Sequence, residues 1–196
     1  MRIRDENKMT TIQEKALEMI VNEGFDGLSM QKLARAAGVS PATIYIYFKD
    51  RDDLIIQLYL QQRDLFFNAI IEGLNEDMDF ATALKVQWKN RARFAIENPQ
   101  TTHFLEHITY TPLYNETFKT PGPRFLTVMK SIAHKAIENK ELAEMPFEMY
   151  WSLVFAPLYN LVRMHKLGKN MAGEPFVLTD EMLESTLKLV LKAIKP

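Results

Sequence analysis

The sequence lacks cysteine and long apolar runs, and each absence excludes a class of protein. Without cysteine, the 196-residue chain has no disulfide framework and no thiolate that could bind a metal or act as a nucleophile. No apolar run approaches the roughly 18 residues of a membrane-spanning helix, and the N-terminal sequence MRIRDENK lacks the apolar core of a secretion signal. We therefore expect a cytoplasmic protein with no membrane partner.

The chain also lacks an excess of positive charge. Its formal net charge is −1 at pH 7, and residues 1–51 carry eight positively and seven negatively charged side chains. Contacts with nucleic acid would therefore depend on a few cations, hydroxyl groups, backbone N–H groups and helix N-termini. We expect the salt dependence of such binding to be modest.

The pattern of apolar residues predicts an all-α fold of about nine helices. Apolar residues make up 47% of the chain and recur at helical spacing, and no segment alternates as a β-strand does. The fourth helix, from Asp50 to about Gly73, is long enough to be shared by two domains. The eighth, from about Pro146 to Gly168, is apolar on two sides and should bend at Pro157. The sequence TPGP at residues 120–123 predicts a rigid turn before the seventh helix.

The most informative stretch is SMQKLARAAGVSPATIYIYFKDRDD, residues 29–53. Ser29 is a natural N-cap for one short helix, and Gly38 stands where that helix has to stop. Ser40 caps the next helix, with Pro41 at its first position, where the missing N–H costs nothing. Two short helices joined by a glycine turn form a helix-turn-helix, whose second helix enters the DNA major groove.

The segment AAGVSPATIYIYFKDRDDL resembles the signature of the TetR family of bacterial transcriptional regulators. The resemblance covers residues 10–54, about a quarter of the chain. It implies an N-terminal three-helix DNA-binding domain, residues 1–49, and a C-terminal helical domain, residues 50–196, for ligand binding and dimerisation. The matching positions are Ala34, Ala37, Gly38, Val39, Ser40, Thr43, Ile44, Tyr45, Tyr47, Phe48, Arg51 and Leu54.

The resemblance also implies a function without catalysis or a cofactor. The implied protein is a homodimeric repressor that binds double-stranded operator DNA and is released by a small-molecule effector. The effector would shift the long fourth helix, so that the two DNA-binding domains of the dimer no longer match the spacing of their half-sites. The doubly apolar eighth helix and the amphipathic ninth, after Thr179, predict a four-helix dimer interface.

The residues expected to bind DNA lie in and around the recognition helix. Its first residues should lie deepest in the groove, where Thr43 can hydrogen-bond a base or a phosphate. Gln31 suits adenine, although an ordinary solvated glutamine is an equal alternative. The tyrosines match family positions that hold the DNA backbone, Ile46 adds an apolar base contact, and Arg51 can reach a phosphate. The predicted set is Ser29, Gln31, Ser40, Pro41, Ala42, Thr43, Tyr45, Ile46, Tyr47 and Arg51.

A second set of residues could line an apolar cavity for the effector. In the fifth helix, from about Phe80 to Glu97, Leu84, Trp88 and Ala95 share one face. Aromatic residues in the later helices could complete the cavity, and plain core packing is the alternative for each of them. We expect a hydrophobic or aromatic effector, since no glycine-rich phosphate loop is present. The predicted set is Phe66, Trp88, His103, His107, Tyr110, Met129, Trp151 and Phe155.

Two other functions remain open at this point. His103 and His107 are four residues apart, a spacing that can place both imidazoles on one metal in a helical enzyme, although no third ligand is evident. Polar groups on a half-buried helix are the simpler interpretation of this pair. The chain could also be a helical interaction module whose helix-turn-helix no longer binds DNA.

Overall fold

The structure is a computed structural model that describes residues 6–75, 77–117 and 123–196. Within these ranges the chain is all-α as predicted, with one isolated bridge between Lys169 and Pro175 and no β-strand. Short 3₁₀-helices lie at Phe25–Gly27 and Ile108–Tyr110. The α-helices are α1 (Glu6–Glu23), α2 (Met30–Ala36), α3 (Pro41–Tyr47), α4 (Arg51–Ile70), α5 (Phe80–Glu97), α6 (Pro99–His107), α7 (Pro112–Thr117), α8 (Pro123–Glu138), α9 (Phe147–Val154), α10 (Ala156–Leu167) and α11 (Asp180–Ala193).

The chain divides into two compact units. The first comprises Met1–Leu65 and Asn98–Thr120, and the second comprises Phe66–Glu97 and Pro121–Pro196. The helix α4 supplies residues to both, because the division falls between Leu65 and Phe66. No helix in the described ranges is long and apolar enough to cross a membrane.

The core of the first unit explains why its short helices are stable. A seven-residue helix is marginal alone, so α2 and α3 depend on tertiary packing. Leu33 of α2 and Ile44 of α3 are fully buried, in one cluster with Ile12 of α1 and Leu54 of α4. The helix α6 completes this unit by packing against α1, with Phe104 fully buried.

The core of the second unit forms around α5. This helix packs against α8, α10 and α11, and Trp88 at its centre has no exposed surface. The helix α11 buries Leu183, Leu187 and Val190 at the three- and four-residue spacing of one helix face.

The predicted helices differ from the observed ones in three places. The predicted eighth helix is interrupted at Phe155, between α9 and α10, and Pro157 lies in the first turn of α10, where its missing N–H is tolerated. The short helix α7 was not predicted, since six residues give too little periodicity. The helix α4 ends at Ile70, ahead of Gly73, whose positive φ of 75° belongs to the turn that follows. The predicted turn at residues 120–123 falls on positions of which 120–122 lie outside the described ranges.

Candidate functional site

Hydroxyl caps fix the start of both helices of the helix-turn-helix. The Ser29 Oγ accepts a hydrogen bond from the backbone N–H of Lys32, at 3.2 Å. The Ser40 Oγ accepts one from the backbone N–H of Thr43, also at 3.2 Å, and lies 2.9 Å from the Thr43 Oγ1. The helix α3 therefore begins where the sequence predicts, with Pro41 in its first turn.

The turn between the two helices depends on Gly38. Its φ is +66°, in the left-handed region that glycine adopts without a Cβ penalty. The backbone N–H of Val39 donates to the carbonyl of Ala34 at 2.9 Å, which satisfies a carbonyl at the end of α2. This geometry directs the chain from α2 into α3.

The helix α3 is buried on one side and exposed on the other. Ile44 is fully buried, whereas Tyr45 is 53% exposed and Ile46 is also exposed. Ser40, Pro41 and Ala42 are exposed as well. The first unit thus leaves an aromatic and an aliphatic side chain of α3 partly exposed, beside the exposed start of the helix.

A reciprocal cap fixes the start of α4 directly after α3. The Asp50 Oδ1 accepts a hydrogen bond from the backbone N–H of Asp53 at 2.9 Å, and the Asp53 Oδ2 accepts one from the backbone N–H of Lys49 at 2.7 Å. Two backbone donors near the helix start are thereby satisfied. The cap holds the exposed Lys49, a cation that was not among the predicted DNA contacts, next to the end of α3.

The second unit contains a buried arginine enclosed by aromatic rings. Arg91 is only 1% exposed, and its guanidinium carbon lies 4.2 Å from the ring centroid of Phe155. The rings of Phe66 and Trp151 each have their centroid 5.4 Å from the same carbon. These distances are those of cation–π contacts.

Two neutral side chains hydrogen-bond the Arg91 guanidinium. Its Nη1 donates to the Tyr159 hydroxyl at 2.7 Å, and its Nε and Nη2 both donate to the Gln87 Oε1 at 3.4 Å. The Gln87 amide is oriented by its own contact to the Met129 sulfur at 2.7 Å. Nearby, burial raises the pKa of the Tyr150 hydroxyl to about 12, an effect that the positive charge of Arg91 partly offsets.

Comparisons with known proteins identify the first unit. Residues 12–58 match the model of the bacterial regulatory proteins of the tetR family. An uncharacterized HTH-type transcriptional regulator of Haemophilus influenzae is 29% identical over 185 residues, which are 90% of each chain. The crystal structure of a TetR-family transcriptional regulator from Haemophilus influenzae superposes with a TM-score of 0.78 at 26% identity, over 97% of this chain and 98% of that one.

The chain belongs to the tetR family. It is therefore a transcriptional regulator with a DNA-binding helix-turn-helix, as the resemblance implied. A third relative, the fatty acid metabolism regulator protein of Bacillus subtilis, is 33% identical over 69 residues, which are 35% of this chain and 36% of that protein.

In this TetR-family chain, two of the predicted DNA contacts have additional structural roles. Tyr47, which was predicted to hold the DNA backbone, is only 8% exposed and belongs to the core cluster of the first unit, and its contact with DNA stays a prediction. The guanidinium of Arg51 donates from Nε to the carbonyl of Leu28 at 3.0 Å and from Nη2 to the carbonyl of Phe25. Arg51 thus ties the start of α4 to the chain before α2, and its contact with a phosphate stays a prediction.

The residues predicted to bind the effector are divided between the two units. Phe66, Trp151 and Phe155 meet at Arg91 in the second unit, and Met129 reaches the same group through Gln87. Trp88 is in the core of this unit, and its Nε1 has no hydrogen-bond acceptor in the part of the chain that the structure describes.

The other three predicted residues belong to the first unit. His103 and His107 stack with ring centroids 4.0 Å apart, and Tyr110 is 88% exposed. Over the described ranges, no group of three or more histidine, cysteine or acidic residues could hold a metal ion.

Surface pockets in the second unit lie elsewhere. A pocket of about 340 Å³ lies between α5 and the start of α11, and one of about 210 Å³ lies between α5 and the rest of α11. Neither is lined by any of the eight predicted effector residues.

Arg91 was not among the predicted site residues, although the sequence pattern contained a signal for it. Leu84, Trp88, Arg91 and Ala95 follow the spacing of a single helix face, so Arg91 occupies a position in an apolar stripe. A charged residue in such a stripe is rarely buried without a partner.

Proposed function

We propose that the protein is a cytoplasmic, dimeric repressor that leaves its operator when a small hydrophobic or aromatic effector binds the second unit. The observation that carries the proposal is the exposed surface of α3, in which Tyr45 and Ile46 stand beside the exposed start of the helix. An aromatic and an aliphatic side chain on one short helix are costly to leave in water. Contact with DNA would remove both side chains from water, which is favourable.

DNA reading in this proposal combines few cations with several neutral groups. Thr43 and Gln31 offer hydrogen bonds to bases, and Pro41, Ala42 and Ile46 offer apolar contact to thymine methyl groups. Ser29 and Ser40 lie at helix N-termini, where backbone N–H groups can meet phosphates. Tyr45 and Lys49 add a hydroxyl and a positive charge, and two N–H groups of Arg51 are left after its contacts to Phe25, Leu28 and Asp52.

Dimerisation is supported by the free face of α11. Beside its buried face, this helix exposes Met182, Leu189 and Ala193 along one side. Positions 182, 189 and 193 fall on one side of a helix, and the stripe they form is apolar and small enough for close helix packing. We propose that a second copy of the chain covers this stripe, since two-fold symmetry also suits an operator with two half-sites.

The aromatic cluster of the second unit supports the nature of the effector. Phe66, Trp151 and Phe155 place their rings against the Arg91 guanidinium, and an apolar or aromatic body that enters beside this group would contact the same ring surfaces.

Effector binding can change the position of the DNA-binding helices by moving α4. This helix begins at Arg51, which holds the chain before α2, and continues to Phe66, whose ring lies against Arg91. An effector that binds better to one position of α4 than to another shifts the population between the two states.

A DNA-binding measurement with two matched variants tests the proposal. Tyr45→Ala should lower affinity for the operator at least about tenfold, because it removes an exposed contact without touching the core. Tyr110→Ala removes a still more exposed tyrosine of the same unit outside the helix-turn-helix, and should leave affinity unchanged. Equal affinities for both variants and the unaltered protein would contradict a role for α3 in DNA binding.

A further inference from the structure

We propose that Arg91 binds the carboxylate of an amphipathic monocarboxylic acid, and that such an acid is the effector. The inference rests on the proposed function and narrows it, since it adds an acidic head group to the expected apolar body. It comes from the buried guanidinium and the side chains that touch it.

The Arg91 guanidinium is buried without a counter-charge among the described residues. Arg91 is 1% exposed, and no described carboxylate forms an ion pair with it. Its neighbours are three aromatic rings, a phenol and an amide, all of them neutral. A guanidinium keeps its charge inside a protein, and a buried charge is costly unless it is paired. An anion that reaches this position would be bound in a medium of low polarity, where the attraction is strong.

The Arg91 guanidinium also has more N–H donors than its neighbours accept. A guanidinium has five, and the contacts to Gln87 and Tyr159 use three of them. One N–H on each terminal nitrogen is left over, and these two nitrogens form the fork that binds a carboxylate through two parallel hydrogen bonds. The Tyr159 hydroxyl, which accepts from Arg91, can donate its own hydrogen to the same carboxylate.

The rings of Phe66, Phe155 and Trp151 surround the guanidinium and would contact the apolar body of the acid. Trp151 is 37% exposed, whereas Phe155 is buried, so the acid would reach Arg91 by displacing the Trp151 side chain. One of the two tryptophans of the chain, Trp151, contacts Arg91, so binding at this position should change the tryptophan fluorescence.

A purely structural role for Arg91 is the competing explanation. In that case the guanidinium holds Gln87, Tyr159 and the rings together and needs no ligand. The two explanations differ in one observable property. Only a ligand-binding role gives the unaltered protein a preference for an acid over the neutral molecule of the same shape.

The experiment measures binding of matched acid and alcohol pairs to the full chain. Dodecanoate is compared with dodecan-1-ol, and 3-phenylpropanoate with 3-phenylpropan-1-ol, by tryptophan fluorescence and by the increase in Tm that a ligand of the native state causes. At least one acid should bind at least about tenfold more tightly than its alcohol, as expected for a charge-assisted, two-point hydrogen bond. If neither acid binds, or if each alcohol binds as well as its acid, the proposal is wrong.

Three variants test whether the preference for the acid over its alcohol depends on Arg91. Arg91→Met keeps the length and apolar stem but removes the charge, and should make acid and alcohol bind equally. Arg91→Lys keeps the charge without the fork, and should retain part of the preference. Arg93→Met is the control, since Arg93 is half exposed on the same helix and pairs with Glu72, and it should keep the full preference. A preference that survives in Arg91→Met, or is lost in Arg93→Met, overturns the assignment.

The same samples separate this inference from the proposed function. If an alcohol binds as tightly as its acid and also releases operator DNA, the carboxylate site is wrong while an effector-responsive repressor stands. If the protein binds no operator DNA at all, the proposed function fails whatever the acids do.

Discussion

The guanidinium carbon of Arg91 lies 4.2 Å above the ring of Phe155, in the interior of the second unit. Cation–π contacts and two neutral hydrogen-bond partners offset part of the cost of burying this charge, but they do not replace a carboxylate. The position is therefore expected to be poorly optimised for stability, as positions kept for ligand binding commonly are.

Replacing this arginine should reveal that cost. Arg91→Met is expected to leave the free energy of unfolding unchanged or to raise it, because an apolar side chain of similar length removes a buried charge. Trp88→Ala, in the same helix and fully buried, should lower it by about 3–5 kcal/mol. Urea unfolding of both variants checks the contrast. A loss of several kcal/mol in Arg91→Met would show that Arg91 is mainly structural.

Base recognition by Gln31 can be separated from general DNA affinity. Gln31 is exposed in the first turn of α2, and a bidentate contact to adenine would contribute about 1–3 kcal/mol of discrimination at one base pair. Gln31→Ala should relax sequence preference at that base pair and leave the others unchanged. Tyr45→Phe, which removes a hydroxyl expected at the DNA backbone, should weaken all sites by a similar factor. If Gln31→Ala keeps the same sequence preference, Gln31 does not contact a base, and the DNA sequence is recognised by α3 and through DNA shape.

The exposed apolar side of α11 predicts that a charge at Leu189 prevents dimerisation. Leu189 is 65% exposed in the chain alone, so Leu189→Lys should not disturb the fold of the monomer. Because a charge would be buried between two copies, the variant should dissociate at protein concentrations where the unaltered chain is dimeric. Ile96→Lys makes the same change at an exposed position of α5 and serves as the control. Sedimentation at micromolar concentration distinguishes them, and a dimeric Leu189→Lys would exclude this face.

Alkaline pH should destabilise the second unit through Tyr150. Burial raises the pKa of this hydroxyl from 10.0 to about 12, so the folded chain keeps a proton that the unfolded chain loses. Stability is then fully present below pH 10 and falls as the pH rises toward 12. Tyr150→Phe should show a shallower fall between these values, and the exposed Tyr110→Phe should behave like the unaltered chain. Parallel unfolding curves for all three proteins would contradict the prediction.

The helix-turn-helix was predictable because its signals are local. Caps at Ser29 and Ser40 and the left-handed Gly38 act within a few residues, and the structure shows each of them as the sequence indicates. The burial of Tyr47 was not predictable in this way. Neighbouring residues of a short helix differ in exposure according to which side the rest of the unit covers, and that is decided by distant parts of the chain.

In the second unit, the contacts around Arg91 join distant parts of the chain and have no local signal. The apolar stripe of α5 predicted a buried face, but the meeting of Arg91 with Phe66 and Phe155 joins residues that are 25 and 64 positions apart. Spacing along one helix contains no information about such a meeting. The break at Phe155 lies just before the bend predicted at Pro157, because a proline is tolerated in the first turn of a new helix and not in a helix interior.

Selection of bound sequences from a pool of random DNA duplexes tests the central claim most directly. The full chain at moderate salt is expected to enrich an inverted repeat, because a two-fold symmetric dimer presents one α3 to each half-site. The enriched duplex should bind with two chains per site, and more tightly than a shuffled duplex of the same composition. A pool that stays random after repeated selection, with equal affinity for both duplexes, would contradict a sequence-specific regulator.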